Sequence, residues 1–178
     1  PNLNGIKNLT LTAIPEGLYD PAFNSVTSDS LRVLIRKSFP PYEILDSATS
    51  LINSSGVCDL TFGNLSNDSN YYIVLKYRNG INTWSSTGNH FTNSVLNYDF
   101  TDSSSKAFGS NMVLKGNKYC IWSGDVNKDN VIDGGDISSV ENGIANSLIG
   151  YEPEDINNDG IVDASDMGLV ENNSTKLI

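Results

Sequence analysis

Two stretches near the C-terminus place side-chain oxygens at a spacing that suits a divalent cation. In each twelve-residue window, carboxylates or amides occupy positions 1, 3, 5, 9 and 12, and position 7 offers a backbone carbonyl. The first window supplies Asp125, Asn127, Asp129, Val131, Asp133 and Asp136, and the second supplies Asp155, Asn157, Asp159, Ile161, Asp163 and Asp166. Ca²⁺ prefers oxygen ligands, about six to eight of them. The sequence therefore predicts two calcium sites in tandem.

The residues between the ligands favour loops of EF-hand type. Position 6 needs a sharp turn, and it holds Asn130 in the first window and Gly160 in the second, two residue types that tolerate a positive φ. Position 8 is β-branched in both windows (Ile132 and Val162), and we expect these two residues to face each other through a short β contact. Position 12 is Asp where the general motif has Glu, so the following helix must begin closer to the ion.

Residues 124–173 resemble the dockerin type I module, whose loops carry Asp at position 12 and are each followed by one helix. The triplet Val-Glu-Asn recurs at 140–142 and 170–172, which supports a duplication. The resemblance implies helices that start at Asp136 and Asp166. Many dockerins bind a cohesin through positions 10 and 11, often a Ser-Thr pair, but those positions hold 134–135 Gly-Gly and 164–165 Ala-Ser here. This departure weighs against cohesin binding and leaves the calcium prediction unchanged.

The charge distribution divides the chain into two parts. Residues 123–178 hold twelve acidic and two basic side chains, which accounts for the whole net charge of −10. Two Ca²⁺ ions would cancel four of those charges, so we expect the tail to need metal to fold. The acidic balance argues against a nucleic-acid partner, which needs basic patches. No run of apolar residues is long enough to span a membrane.

Residues 1–122 show short alternating segments and no sustained helical period, which is typical of a β-sandwich. The expected strands are 8–14, 30–37, 42–52, 57–62, 71–77, 81–84, 91–92, 95–101, 112–114 and 119–122, with a hairpin turn at 79–80 Asn-Gly. The strand pattern resembles transthyretin- or Ig-like antiparallel sandwiches that accompany dockerin repeats in secreted proteins of Bacteroidetes-type bacteria. The predicted fold is mainly β: a sandwich domain (1–122), then a small α dockerin-like module with two EF-hand-type calcium loops (123–178).

Other reactive side chains do not group into a catalytic site. His90 is the single histidine and lies in a polar loop, so we expect no triad and no enzyme. Cys58 and Cys120 allow either one disulfide or two small buried apolar residues. The strand aromatics, which are Trp84, Trp122, Tyr71, Tyr72, Tyr77 and Tyr119, suit core packing better than a sugar-stacking platform.

These features predict a secreted or cell-surface structural protein whose tail mediates protein–protein contact. The favoured role is adhesion or self-assembly, as the subunit of an oligomer, surface filament or layer. The alternatives are docking to a cohesin-like receptor and a carbohydrate-binding accessory role. Candidate sites for attached glycans are the N-linked sequons beginning at Asn8, Asn53, Asn64, Asn67 and Asn173, partly due to chance in a chain rich in Asn and Ser, and the O-linked motifs at 29–31 and 46–48.

Overall fold

The computed structural model describes residues 5–63 and 65–176. The Asn64 sequon lies outside this range. The strands are β1 (Lys7–Thr12), β2 (Tyr19–Asp20), β3 (Ser25–Val26), β4 (Ser30–Lys37), β5 (Ile44–Leu51), β6 (Val57–Phe62), β7 (Tyr71–Lys76), β8 (Thr83–Trp84), β9 (Val95–Asp99), β10 (Val113–Lys115) and β11 (Lys118–Cys120), and the α-helices are α1 (Gly134–Ala145) and α2 (Ala164–Ser174). The prediction of a mainly β fold is confirmed.

Two sheets enclose the larger hydrophobic core. One has the strand order β6-β1-β9 and the other β5-β4-β7-β8. Alternate residues point inward, as a period of two requires: Leu9 and Leu11 from β1 meet Val33 and Ile35 from β4 in one buried cluster. The opposite face of β4, which points away from this core, therefore carries Arg32, Leu34 and Arg36.

The sandwich is not wholly antiparallel, because β1 and β9 pair in parallel, with Leu9 opposite Leu96. The expected hairpin between β7 and β8 is present, but its turn lies one residue earlier than 79–80, because the Gly80 N–H donates to the Tyr77 carbonyl at 3.4 Å. Residues 77–82 form the connection, and Asn79 is fully buried. Its side-chain amide donates to the carbonyl oxygens of Pro153 and Asp155, at 3.0 and 3.4 Å. The connection is therefore longer than a two-residue loop and contacts the tail.

The tail folds as two loop–helix units over a second hydrophobic cluster. Ile132, Val140, Ile156, Val162 and Val170 form its buried centre. Each helix starts two residues earlier than predicted, because a capping box stabilises the earlier start. In α1 the N-cap carboxylate of position 9 accepts from the helix backbone, while the carboxylate of position 12 accepts from the N-cap N–H, and α2 repeats the arrangement.

A short strand-like pairing joins the tail to the sandwich. The Ile81 N–H donates to the Trp122 carbonyl at 3.0 Å, and the Gly124 N–H donates to the Asn79 carbonyl at 2.7 Å. Gly17 packs so closely on the tail that an added Cβ would lie 2.2 Å from the Ile156 carbonyl oxygen. The two predicted parts therefore meet through backbone contacts, and the domain boundary at 122–123 stays a prediction.

Both cysteines are free thiols buried in the larger core. Of the two alternatives from the sequence, the structure therefore has two small buried residues and not a disulfide. Burial raises the pKa of the Cys58 thiol to about 11 and that of Cys120 to about 12.

Glycan attachment at Asn173 is ruled out in this fold, because that side chain is buried and its amide donates to Glu16 and Ser123. Within the described residues, no helix combines the length and the apolar character needed to cross a membrane.

Candidate metal loops and their junction with the sandwich

The first loop is built from side chains that turn back on their own backbone. Asn127 Oδ1 accepts from the Asp129 N–H, and Asp129 Oδ1 accepts from the Val131 N–H, both at 2.9 Å. These local bonds bend the chain because Asn and Asp side chains mimic a turn carbonyl. The backbone takes a positive φ at Lys128 (65°) and Asn130 (68°). The predicted turn at position 6 is confirmed, and the turn at position 4 was not anticipated.

The second loop repeats both of these turn bonds. Asn157 Oδ1 accepts from Asp159 N–H, and Asp159 Oδ1 accepts from Ile161 N–H, again at 2.9 Å. Positive φ recurs at Asn158 (61°) and Gly160 (88°). Two segments of different sequence therefore adopt one loop geometry, which their shared polar spacing explains.

The position-12 carboxylates close each loop onto the start of its helix. Asp136 Oδ1 accepts from the N–H groups of Val126 and Asn127, at 2.8 and 3.1 Å, and its Oδ2 accepts from the Asp133 N–H at 2.9 Å. Asp166 makes the equivalent bonds in the second loop. Both carboxylates are fully buried. An Asp at this position has the short reach that such a closed loop needs.

Position 1 of the first loop carries an unsatisfied buried oxygen. Asp125 Oδ2 accepts from the Asn130 N–H at 3.1 Å, but its Oδ1 has no hydrogen-bond partner. The side chain is 2% exposed, and burial raises the pKa of this carboxyl to about 6. A buried carboxylate oxygen without a donor is costly and needs an explanation, of which a bound cation is one. Asp155, its counterpart, accepts from Asp159 and Gly160 N–H groups through its two oxygens.

The other predicted ligands lie at the loop surface. The side chains of Val131 and Ile161, whose carbonyls were predicted to bind metal, are 52% and 53% exposed. Asp133 and Asp163 serve as helix N-caps. Among residues 5–63 and 65–176, no three carboxylate, imidazole or thiolate groups converge tightly enough to form a metal cluster by themselves. Four of the six predicted ligands in each loop are carboxylates, so their convergence on one ion stays a prediction.

The expected β contact between Ile132 and Val162 takes another form. Both residues are buried in the second core, but the backbone of the second loop pairs with residues 148–150. Val162 N–H donates to the Leu148 carbonyl at 3.1 Å, and Ile149 and Ile161 form the antiparallel bridge. The segment before the second loop thus takes the place of the first loop.

Arg78 is the main residue that sequence reasoning missed. Its guanidinium donates to the carbonyls of Glu152 and Asp155 and to Asn158 Oδ1, and so holds the entrance of the second loop. Its Nε lies 3.3 Å from Asp29 Oδ2, with the two side chains 11% and 6% exposed. No sequence motif marks a lone arginine on the connection that follows β7, so only the fold could reveal this role.

Two tyrosines complete the Arg78 cluster. Tyr77 O–H donates to Asp29 Oδ2 at 2.7 Å, and Tyr151 O–H donates to Asp29 Oδ1 at 2.8 Å. The Tyr151 ring also lies under the guanidinium, 4.3 Å from centroid to Cζ. Burial raises the pKa of the Tyr77 hydroxyl, which keeps it a donor. One buried network therefore connects β4, the β7–β8 connection and the second loop.

A second buried contact fastens the end of α2. Asn173 Nδ2 donates to Glu16 Oε2 at 2.6 Å and to the Ser123 carbonyl at 2.8 Å. Burial raises the pKa of Glu16, although the bonds from Asn173 and Ser123 oppose the shift. The loop and the helix of the second unit are thus both anchored to the sandwich by polar groups withdrawn from water.

Comparison with known proteins yields structural neighbours only. No protein-family model matches the chain, and no curated protein matches it by sequence. Two crystal structures of interface mutants of a type II cohesin–X–dockerin complex from Acetivibrio cellulolyticus contain a chain of similar fold. The TM-scores are 0.51 and 0.54, the identities 12% and 14%, and each match covers 94% of both chains. At these identities the likeness concerns the fold.

Proposed function

We propose that this chain is a calcium-stabilised docking unit of an extracellular or cell-surface assembly. In this proposal the two loops bind one Ca²⁺ each, and the helical tail engages a cohesin-like protein receptor. The observation that carries it is the pair of loops with one shared hydrogen-bond geometry, together with the partnerless buried oxygen of Asp125.

The donor set of the loops favours a hard cation. The proposed ligands are side-chain carboxylates and amides at positions 1, 3, 5, 9 and 12 and the carbonyl oxygens of Val131 and Ile161. A cation beside Asp125 would give its Oδ1 a partner and would offset the cost of burying the charge. The acidic tail would also repel itself less, since two Ca²⁺ ions offset four of its charges.

The docking part of the proposal draws on the structural neighbours. Both come from complexes of a cohesin with an X–dockerin protein, and the matches extend over 94% of this chain. Coverage of that extent includes most of the tail as well as the sandwich. The tail also exposes apolar side chains that suit a protein contact, with Ile149 72% and Ile161 53% exposed next to each other. A docking role is therefore preferred over self-assembly.

Calcium titration tests the metal part. We expect two bound Ca²⁺ per chain by calorimetry and a higher melting temperature in Ca²⁺ than in chelator. Asp125→Asn combined with Asp155→Asn should remove both effects. Asp68→Asn, which removes one carboxylate charge at an exposed loop residue of the sandwich, is the control for each single substitution and should keep both effects. Equal melting temperatures of the unaltered chain in Ca²⁺ and in chelator would refute calcium binding.

Gel filtration tests the docking part separately. A monomer that shifts to a one-to-one complex with a recombinant type II cohesin domain, and only in Ca²⁺, is the expected result. Ca²⁺-dependent oligomers of the pure chain, with no complex formed, would instead support the self-assembly prediction and overturn docking. The two tests are independent because calcium binding can hold when docking fails.

A further inference from the structure

The outer face of the sheet β5-β4-β7-β8 carries an open aromatic groove. It has a volume of about 340 Å³ and is lined by Tyr42, Tyr72, Trp84 and Phe108. The rings of Tyr72 and Trp84 lie 5.8 Å apart at 66°, and Tyr42 meets them edge-on at 6.0 and 6.1 Å. Phe108 is 66% exposed, so the groove opens to solvent. Large aromatic side chains grouped at a surface mark a binding site more often than isolated ones do.

One cation already borders this groove. The Arg36 guanidinium lies 5.1 Å from the centre of the Trp84 ring, and its Nη1 donates to the Tyr42 carbonyl at 3.0 Å. Its Nε is buried and has no hydrogen-bond partner. The ligand of the groove must therefore tolerate a positive charge, which disfavours quaternary ammonium compounds.

The same sheet face carries an unneutralised cationic pocket of about 350 Å³. Arg32 and Lys76 stand directly opposite each other on β4 and β7, and Lys128 reaches the pocket from the first loop. In the described residues none of the three forms an ion pair, and the pocket sets only Asp125 against them. Like charges at directly opposed positions destabilise a sheet. A bound anion would remove that cost.

The groove and the pocket lie on the same face of the sheet. Arg32 and Arg36 lie on this face of β4, four residues apart, which is about 13 Å along a strand. Leu34 and Val74 lie between them, but they are only 3% and 1% exposed, so a ligand would cross over the side chains that cover them. A ligand that spans this surface must be extended, with a flat apolar ring face at one end and an anionic group at the other.

We propose that this face binds an acidic polysaccharide, with a sugar ring in the aromatic groove and a carboxylate or sulfate in the cationic pocket. The C–H face of a sugar ring packs on the electron-rich face of an aromatic ring. A neutral glycan leaves Arg32 and Lys76 unpaired, and an acidic peptide without rings leaves the groove empty. This site lies mainly on the sandwich, with Asp125 and Lys128 added from the first loop, and it does not require the tail to dock to a receptor.

Tryptophan fluorescence can report each end of the surface. In Trp122→Phe the groove residue Trp84 becomes the sole tryptophan, and its emission should change saturably with hyaluronate or heparin oligosaccharides. Hyaluronate carries carboxylates alone and heparin carries carboxylates and sulfates, so binding of heparin alone would point to sulfate as the required anion. In Trp84→Phe the remaining Trp122 should give no change. Calorimetry on the unaltered chain and on Trp84→Ala supplies the same comparison if Trp122→Phe does not fold.

Charge reversal tests the cationic end. Arg32→Glu with Lys76→Glu should weaken binding on the order of tenfold or more, and added salt should weaken the unaltered chain. Lys118→Glu, the same change on a strand of another sheet, should stay within about twofold. The proposal is overturned if neither acidic oligosaccharide binds, or if cellohexaose, poly-glutamate or single-stranded DNA binds as tightly as they do.

Discussion

Removal of the Arg78 side chain should detach the second loop from the sandwich. Arg78→Ala leaves the buried Asp29 carboxylate without its cation and removes one of the two donors to each of the carbonyls of Glu152 and Asp155. Breaking a buried ion pair from one side costs about 3–5 kcal/mol. The Tyr77 and Tyr151 hydroxyls still donate to Asp29, so we expect the lower end, about 3 kcal/mol.

The assay is thermal unfolding followed by circular dichroism in excess Ca²⁺. For a chain of this length each kcal/mol shifts the melting temperature by about 2–4 °C, so Arg78→Ala should melt roughly 6–12 °C lower. Arg78→Lys keeps the charge but loses the planar fork that reaches several acceptors at once. Its melting temperature should therefore lie between those of Arg78→Ala and the unaltered chain. A loss of calcium affinity at the second loop should accompany the drop, because Arg78 holds the loop entrance.

Arg32→Ala is the matched control, since this arginine is exposed on the same sheet and makes one long bond to Ser47. It should change stability by no more than about 0.5 kcal/mol. If Arg78→Ala melts within about 2 °C of the unaltered chain, the buried network contributes little and the reasoning about tail anchoring is wrong.

Two further predictions concern the same interface. Gly17→Ala puts a methyl 2.2 Å from the Ile156 carbonyl oxygen and should lower the free energy of unfolding by about 1–3 kcal/mol in chemical denaturation. The control is Gly168→Ala, at a helical site where an added Cβ meets no neighbouring residue within 4 Å. It should raise the free energy of unfolding by up to about 1 kcal/mol. Glu16→Gln keeps an acceptor for Asn173 but removes a buried charge. Because burial raises the pKa of Glu16 above its ordinary 4.5, ionising it destabilises the fold as pH rises through the raised value. Glu16→Gln should therefore melt higher than the unaltered chain at pH 7, and the gap should close as the pH falls to 4.5.

Each of these has a clear contrary result. Equal stability losses for Gly17→Ala and Gly168→Ala would mean that the close approach to the tail is absent in solution. A gap between Glu16→Gln and the unaltered chain that stays constant with pH would mean that the Glu16 carboxyl is hydrated rather than buried.

Local chemistry made the loops predictable. Asn and Asp at alternate positions bond to the backbone two residues ahead, so the turns at Asn130 and Gly160 follow from neighbouring residues alone. Most strands of the sandwich were predicted for the same reason, because alternation is a short-range pattern, but the prediction at 91–92 is wrong and the two-residue strands β2 and β3 were not expected. The earlier helix starts could have been found from the capping boxes at Asp133 and Asp163.

Long-range contacts made the rest unpredictable. The parallel pairing of β1 with β9 joins residues about ninety positions apart, and no local pattern encodes it. Asn79 was expected in a two-residue turn, but it is buried and its side-chain amide donates hydrogen bonds to two carbonyls of the tail. The Arg78 network likewise unites residues from three distant stretches. The surface that joins the aromatic groove to the cationic pocket was also hidden, because Tyr42 and Phe108 meet only in the fold.

The strand-like pairing of 79–81 with 122–124 decides how the chain would carry tension. A force applied to a partner bound by the tail would reach the sandwich by two parallel routes. One is the pair of backbone hydrogen bonds made by Ile81 and Gly124, and the other is the buried guanidinium of Arg78. No slack spacer stretches first, so the load is shared from the onset. The attachment would yield only when several bonds rupture together, which is the mechanical behaviour that suits a tether between a cell and a moving surface.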